Sequence, residues 1–345
     1  MKLTDFLDID FPLVQAPMAG AQGSALAIAV AGAGGLGSQP GAMLDAAGLR
    51  AELTAIRAKT GKPFNVNFFC HTPRPADPER ETQWRAKLTP FYQQYGIDPK
   101  NIPAGPGRMP FSTEAIDVLE DFKPAVVSFH FGLPPAPLFA RVKALGAKTV
   151  CSATTVAEAL WLEAQGVDVV IAQGLEAGGH RGIFLSDDLT TQVGTFALLP
   201  QVLHAVKIPV IACGGIADAR CIEAAMALGA AGVQLGTSYL LCPETLISPI
   251  HRAALKSEGT RHTTLTNIFT GRPARGIVNR VIRELGAINE SAPAFPLATS
   301  AIAPLRAKAE AQGSGDFSPL WSGQNASGCK EIPAAQLTRE LVAAF

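Results

Sequence analysis

The chain has no net charge: 29 Lys and Arg balance 29 Asp and Glu over 345 residues. A polyanion binder needs a basic field, so no nucleic acid partner is expected. Long apolar runs are also missing. The longest near-apolar stretch, Ala25 to Gly37, is 13 residues and glycine-rich, whereas a membrane span needs about 20. The N-terminus, Met1-Lys-Leu-Thr-Asp-Phe-Leu-Asp-Ile-Asp, carries acids where a signal peptide is apolar. A cytoplasmic protein is the expectation. Cysteines are few: Cys70, Cys151, Cys213, Cys221, Cys242 and Cys329 lie far apart with no CxxC pair. They read as reduced thiols, neither a disulfide frame nor a metal site. No GxxxxGK[ST] occurs. Gly32-Ala-Gly-Gly-Leu-Gly37 precedes a strand instead of opening a helix, so it is not a dinucleotide loop.

What is present is a core. Apolar residues make up 48% of the chain and DEKR only 17%, which excludes a disordered chain. At roughly 150 residues per domain the length allows two domains, but an α/β barrel uses about 250 for one. Eight short apolar runs read as strands: Leu13–Met18, Gly35–Gln39, Phe64–Phe69, Ala125–His130, Lys148–Ala153, Val167–Gln173, Ile208–Cys213 and Gly232–Gly236. Several lack polar alternation, as strands covered on both faces do. Ala/Leu-rich segments at helical spacing separate them, such as Val156–Gln165 before Gly166 and Ala219–Leu228 before Gly229. The pattern predicts an α/β fold, a (β/α)8 TIM barrel, with a doubly wound open sheet as the alternative. Residues 71–112 form a Pro- and charge-rich insertion after strand three. It holds an amphipathic stretch, Glu79–Tyr95, and a Pro/Gly turn, Pro103–Gly107. Residues 1–245 read as the barrel and 246–345 as a mostly helical cap.

In such a barrel the active site lies at the C-terminal strand ends. Unusual residues cluster there: Pro17-Met18-Ala19-Gly20, Asn67, His130, Gln173 to Gly182, Gly214-Gly215, and Gln234-Leu235-Gly236-Thr237. Glycine pairs after strands seven and eight suit a phosphate, because backbone N–H groups approach it closely where no Cβ intervenes. The alternative is that they only make tight turns. A mononucleotide such as FMN fits, with Asn67 and Gln173 as amides for the polar ring edge; each could instead satisfy loop carbonyls. His180 follows Gly178-Gly179 in a loop and can move a proton near neutral pH. His130 faces the same mouth, as a donor to an anion or as a packed strand-end residue. His71, His204, His251 and His262 read as structural, and Glu176 as a turn cap.

The segments Gln15–Gly20, Ser128–Gly132, Gln173–Gly182, Ile211–Ile216 and Gln234–Thr237 resemble the nitronate monooxygenase family, class I. So do Thr270–Gly276 and Trp321–Asn325. The resemblance implies an FMN-binding barrel under a helical cap. It implies that Met18, Asn67, Gln173, Gly178, Gly215 and Gln234 to Thr237 hold FMN, with His180 as catalytic base and His130 on the substrate side. It further implies a small anionic nitronate substrate, such as propionate 3-nitronate. That substrate would be oxidised by one-electron transfer to flavin and react with O2, giving carbonyl products and nitrite. An NAD(P)H-dependent flavin reductase on the same scaffold is the alternative, and a non-catalytic flavin- or phosphate-binding barrel a third. One departure stands out. Family members often place cap tyrosines and a lysine near substrate, but this chain has only Tyr92, Tyr95 and Tyr239, and its matching stretch Pro296–Pro304 has none.

Overall fold

The computed structural model describes residues 2–102, 108–343 and 345, so the Pro103–Gly107 turn lies outside the described residues. The strands, in chain order, are β1 (Leu13–Gln15), β2 (Gly37–Pro40), β3 (Phe64–Phe69), β4 (Val126–His130), β5 (Lys148–Ala153), β6 (Val169–Gln173), β7 (Gly179–His180), β8 (Val210–Cys213), β9 (Gly232–Leu235), β10 (Thr263–Thr266) and β11 (Ala274–Ile277). Eight of them form one parallel sheet in the order β1-β9-β8-β6-β5-β4-β3-β2. The sheet closes on itself. Val14 bridges Leu36 in parallel, the Gln15 N–H donates to the Leu36 carbonyl at 2.9 Å, and the Leu36 N–H donates to that of Leu13 at 2.8 Å. This closure excludes the open sheet and makes the fold a (β/α)8 barrel.

The strands come out shorter than their apolar runs. Leu13 starts a ladder that stops at Pro17, which has no N–H to continue it. Helices end where the glycines are. Val156–Ala164 stops before Gly166 (φ 83°) and Ala219–Ala227 before Gly229 (φ 103°), conformations that cost a side chain strain. Val66, Val127, Val170, Ala212 and Val233 point outward from the strands to Leu26, Leu53, Ile116, Leu162 and Leu199 of the helical ring, all buried in one core.

Packing, not chain order, separates barrel from cap. The insertion helix Pro78–Gln94 sends Trp84, Leu88, Phe91 and Tyr92 into a second core with Ile302, Leu305 and Phe317 of the C-terminal part. Conversely, the last helix, Ala334–Val342, places Leu337 and Leu341 in the barrel core. It packs against the helices Ser24–Gly32 and Ala219–Ala227, completing the outer ring. The cap is not helical throughout. β10 and β11 pair antiparallel, and β11 also pairs with β7, matching Ala274 to His180 and Arg275 to Gly179. No described helix is long and apolar enough to cross a membrane. All six cysteines are free thiols, with Cys151, Cys213 and Cys242 buried.

Candidate active site

A cavity of about 410 Å³ opens at the C-terminal ends of the barrel strands, under the cap. That volume lies in the range of small-ligand and cofactor sites. Pro17, Met18, Ala19, Gly20, Asn67, His130, Gln173, Gly178, Gly179, His180, Gly214, Gly215, Gln234, Gly236 and Thr237 all line it. Leu235 does not. Side chains alternate along a strand, so between Gln234 and Gly236 Leu235 faces outward into the helical core. Its carbonyl accepts from the Ala16 N–H at 2.8 Å, which ties down the β1 loop. The buried Gln22 fixes that loop further, accepting from the Met18 N–H at 3.0 Å and donating to the Ser38 carbonyl at 2.7 Å.

One end of the cavity is rich in backbone donors. Gly214 (φ 114°) and Gly215 (φ 72°) turn the chain out of β8 in a conformation that favours glycine. Among the described residues, the N–H groups of Gly215, Gly236 and Thr237 donate to no protein group. The latter two open the single 3₁₀ turn Thr237–Tyr239, whose first donors have no partner within the turn. The helix starting at Ala219 contributes less than its position suggests, because Asp218 caps it, accepting from the Cys221 N–H at 2.9 Å. The C-terminal tail completes this end. The Gly323 N–H donates to Thr237 Oγ1 at 2.9 Å, and Asn325 Nδ2 to the Gly215 carbonyl at 3.0 Å. A Cβ on Gly178 would come within 2.5 Å of the Gly323 nitrogen.

The three amides play different parts. Gln173 anchors its own loop: Nε2 donates to the His180 carbonyl at 3.0 Å and Oε1 accepts from the Gly182 N–H at 2.7 Å. Asn67 donates to Ser128 Oγ at 2.9 Å. Gln234 has a buried Oε1 with no partner. A buried unpaired acceptor is costly, and here it marks where a ligand donor belongs.

His130 and His180 are coupled through the backbone. His130 Nε2 lies 3.2 Å from the His180 carbonyl, and Nδ1 lies 3.1 Å from Ser152 Oγ. A carbonyl only accepts, so Nε2 carries the proton and Nδ1 accepts from Ser152. Burial pushes the His130 pKa down to about 3, keeping the ring neutral. His130 therefore holds the loop through Nε2 while lining the cavity. His180 Nε2 lies 2.9 Å from Thr270 Oγ1. Phe295, Trp321, Phe131 and Phe69 surround its ring at centroid distances of 5.5, 5.6, 5.9 and 6.2 Å. Burial first, then the charges of Arg108, His130, Arg272 and His71, pull its pKa well below the ordinary 6.5. Glu176 is not its partner. That carboxylate caps the helix at Thr195, accepting from Thr195 N–H at 2.8 Å and from its hydroxyl at 2.9 Å.

Several residues around the site are not among the candidates read from the sequence. Arg108 comes from the insertion, lines the cavity and lies over Phe295 at 5.6 Å. Arg272 stacks on Phe131 at 4.0 Å, behind the His180 ring. His71 and His251, read as structural from the sequence, border the site. His71 meets Phe295 edge-on at 4.8 Å, and His251 Nε2 lies 3.0 Å from the Trp321 carbonyl. Tyr92 is spent within the cap, donating to the Ala301 carbonyl at 2.6 Å, and Tyr239 is buried against Thr338. Among the described residues no tyrosine lines the cavity; Arg108 and the aromatic rings stand around His180 instead. Among the described residues no group of three His, Cys, Asp or Glu side chains is placed to hold a metal.

The donor-rich end, the unpaired Gln234 Oε1 and the glycine floor fit a phosphorylated planar cofactor such as FMN: anionic at one end, hydrogen-bonding along its ring edge. The family model described as nitronate monooxygenase matches residues 1–344. A nitronate monooxygenase of Paraburkholderia phytofirmans is 44% identical over 98% of this chain and 93% of its own. One from Pseudomonas aeruginosa is 42% identical, covering 99% and 98%. The crystal structure of a nitroalkane oxidase from Streptomyces ansochromogenes superposes with a TM-score of 0.89 at 39% identity, covering 99% of this chain and 97% of that one.

Proposed function

Because the chain belongs to the nitronate monooxygenase family, we propose that it is an FMN-dependent oxidoreductase acting on alkyl nitronates, such as propionate 3-nitronate, with O2. The products are a carbonyl compound and nitrite. The observation that carries the reading is one cavity joining two chemistries: unpaired backbone donors at Gly215, Gly236 and Thr237, and a neutral His180 in an aromatic, cation-flanked recess.

Gly178, Gly179, Gly214, Gly215, Gly236 and Thr237 would hold the FMN phosphate, and Pro17 to Gly20, Asn67, Gln173 and Gln234 the ring. When bound, FMN supplies one-electron oxidation of the nitronate. The remaining work falls to the protein. Arg108 offers a positive charge to a nitronate anion in the cavity. Phe69, Phe131, Phe295 and Trp321 exclude solvent. His180 removes the α-proton when the substrate arrives as a neutral nitroalkane, a step a ready-made nitronate does not need.

The test is an oxygen electrode on FMN-loaded protein. Rapid oxygen uptake with propionate 3-nitronate and negligible NADH oxidation supports the proposal. NADH oxidation with a quinone or enoyl thioester, and no response to nitronate, overturns it.

A further inference from the structure

The segment Thr270-Gly-Arg-Pro-Ala-Arg-Gly276 grips the His180 loop at several points. Ala274 pairs with His180 across β7 and β11, and the Arg181 N–H donates to the Pro273 carbonyl at 2.9 Å. Its first residue touches the imidazole itself. Thr270 Oγ1 lies 2.9 Å from His180 Nε2 and 3.3 Å from the Arg272 carbonyl. Thr270 is only 3% exposed, so its hydroxyl finds its partners inside the protein.

A hydroxyl donates one proton. The Arg272 carbonyl can only accept, whereas His180 Nε2 can donate or accept. The arrangement that satisfies all three groups runs one way: His180 Nε2–H to Thr270 Oγ1, and Thr270 O–H to the Arg272 carbonyl. From this we infer that Thr270 is a positioning residue that fixes the tautomer of His180, placing the proton on Nε2 and the basic lone pair on Nδ1. Nδ1 has no hydrogen-bond partner among the described residues, and His180 lines the cavity. In the opposite tautomer Nδ1 would carry a hydrogen, and no base would face the substrate.

The inference rests on the proposed role of His180 and deepens it. In the proton-transfer step the substrate Cα–H bond breaks, the proton goes to Nδ1, and the electron pair moves into the nitro group to give the nitronate. The imidazolium so formed keeps Nε2–H donating to Thr270, now as a charge-assisted bond. This matters because the fixed cations near the ring, Arg108 from the insertion and Arg272 from the cap, oppose that charge, and the neutral, buried His71 and His130 on the barrel side do not offset it. Among the described residues, Thr270 is the hydrogen-bond partner of the ring that favours it.

Two measurements test this. Nitrogen-15 NMR of the His180 ring, on protein with and without FMN, should report Nε2–H; an Nδ1–H tautomer overturns the inference. In steady state, Thr270→Val should lower the ratio of nitroalkane to nitronate turnover roughly 10- to 100-fold, by slowing proton removal. It should also move the acid limb of nitroalkane kcat/KM to lower pH, and Thr270→Ser should restore both. If Thr270→Val slows the two substrates equally, or neither, Thr270 is merely structural and the inference fails. If the unaltered protein oxidises preformed nitronate but ignores nitroalkanes, His180 is not a base and the failure lies in that earlier reading.

Discussion

The Nε2 proton of His130 points at the main-chain carbonyl of His180, 3.2 Å away. Gln173 Nε2 donates to the same oxygen at 3.0 Å. Two strand-end side chains thus spend their donors on fixing one loop residue. The buried Arg181 adds to this from behind, donating to the carbonyls of Gln173 at 2.7 Å and Gly174 at 2.6 Å. Rigid support of this kind is what a general base needs, since a misplaced base loses rate steeply. His180→Asn should therefore reduce nitroalkane oxidation by about 10²- to 10⁴-fold. FMN content, read from the visible spectrum, should be retained, as should turnover of preformed nitronate. Unchanged nitroalkane oxidation would remove the base assignment.

The acid limb of nitroalkane oxidation follows from the depressed pKa of His180. A base acts while unprotonated. With its pKa held well below 6.5 by burial and neighbouring cations, His180 stays competent down through neutral pH. The kcat/KM for a neutral nitroalkane should be flat from pH 8 to below 6.5 and fall only at more acid pH. A midpoint at or above 6.5 would show an ordinary, solvated histidine.

Arg108 is a cation that lines the cavity and lies over Phe295. Arg108→Met keeps the length and removes the charge. It should raise KM for nitronate roughly 10-fold and leave kcat less affected, with Arg108→Lys falling between. Equal KM values for the variant and the unaltered enzyme would place anion recognition elsewhere.

The barrel was legible because eight short apolar runs, several without polar alternation, recur between helical segments, and because glycines mark the helix ends. The mouth was legible because Gly214-Gly215 and Gly178-Gly179-His180 follow those runs at the C-terminal strand ends. The rest lacked a local signal. Thr263–Thr266 is too short and polar to stand out as a strand, and it exists because β11 pairs with it. Arg108 is one arginine in a Pro-rich insertion, brought to the site by tertiary contacts such as that of its carbonyl with His71 Nε2 at 3.0 Å. Leu235 shows the opposite error: it sits within a cofactor-binding motif, but strand alternation turns it to the core.

Gly178 tests the contact between the barrel and its C-terminal tail. A methyl group there would come within 2.5 Å of the Gly323 nitrogen and 2.6 Å of the Ser322 carbonyl carbon, both backbone atoms with little freedom to yield. Gly323 in turn donates to Thr237 Oγ1, beside the unpaired donors proposed for phosphate. Gly178→Ala should push the tail away and weaken FMN binding about 10-fold or more, measured by flavin fluorescence on titration. Gly313→Ala serves as a control. Its Cβ meets nothing within 4 Å, though its φ of 78° adds modest strain outside the cavity. It should lower the melting temperature slightly without changing FMN affinity.

Acid stability provides a check on His130 that does not depend on activity. Its pKa falls from about 6.5 in the unfolded chain to about 3 in the folded protein, chiefly through burial. The unfolded state therefore binds the extra proton between those values, and stability is lost as pH falls from 6.5 toward 3. Above 6.5 both states are neutral and this contribution is constant. His130→Gln can still donate to the His180 carbonyl but cannot titrate. Urea unfolding should show a smaller loss of stability between pH 7 and pH 4.5 for this variant than for the unaltered protein. Parallel losses in the two proteins would mean that His130 is protonated in the fold, and the assignment of its Nδ1 as an acceptor from Ser152 would be wrong.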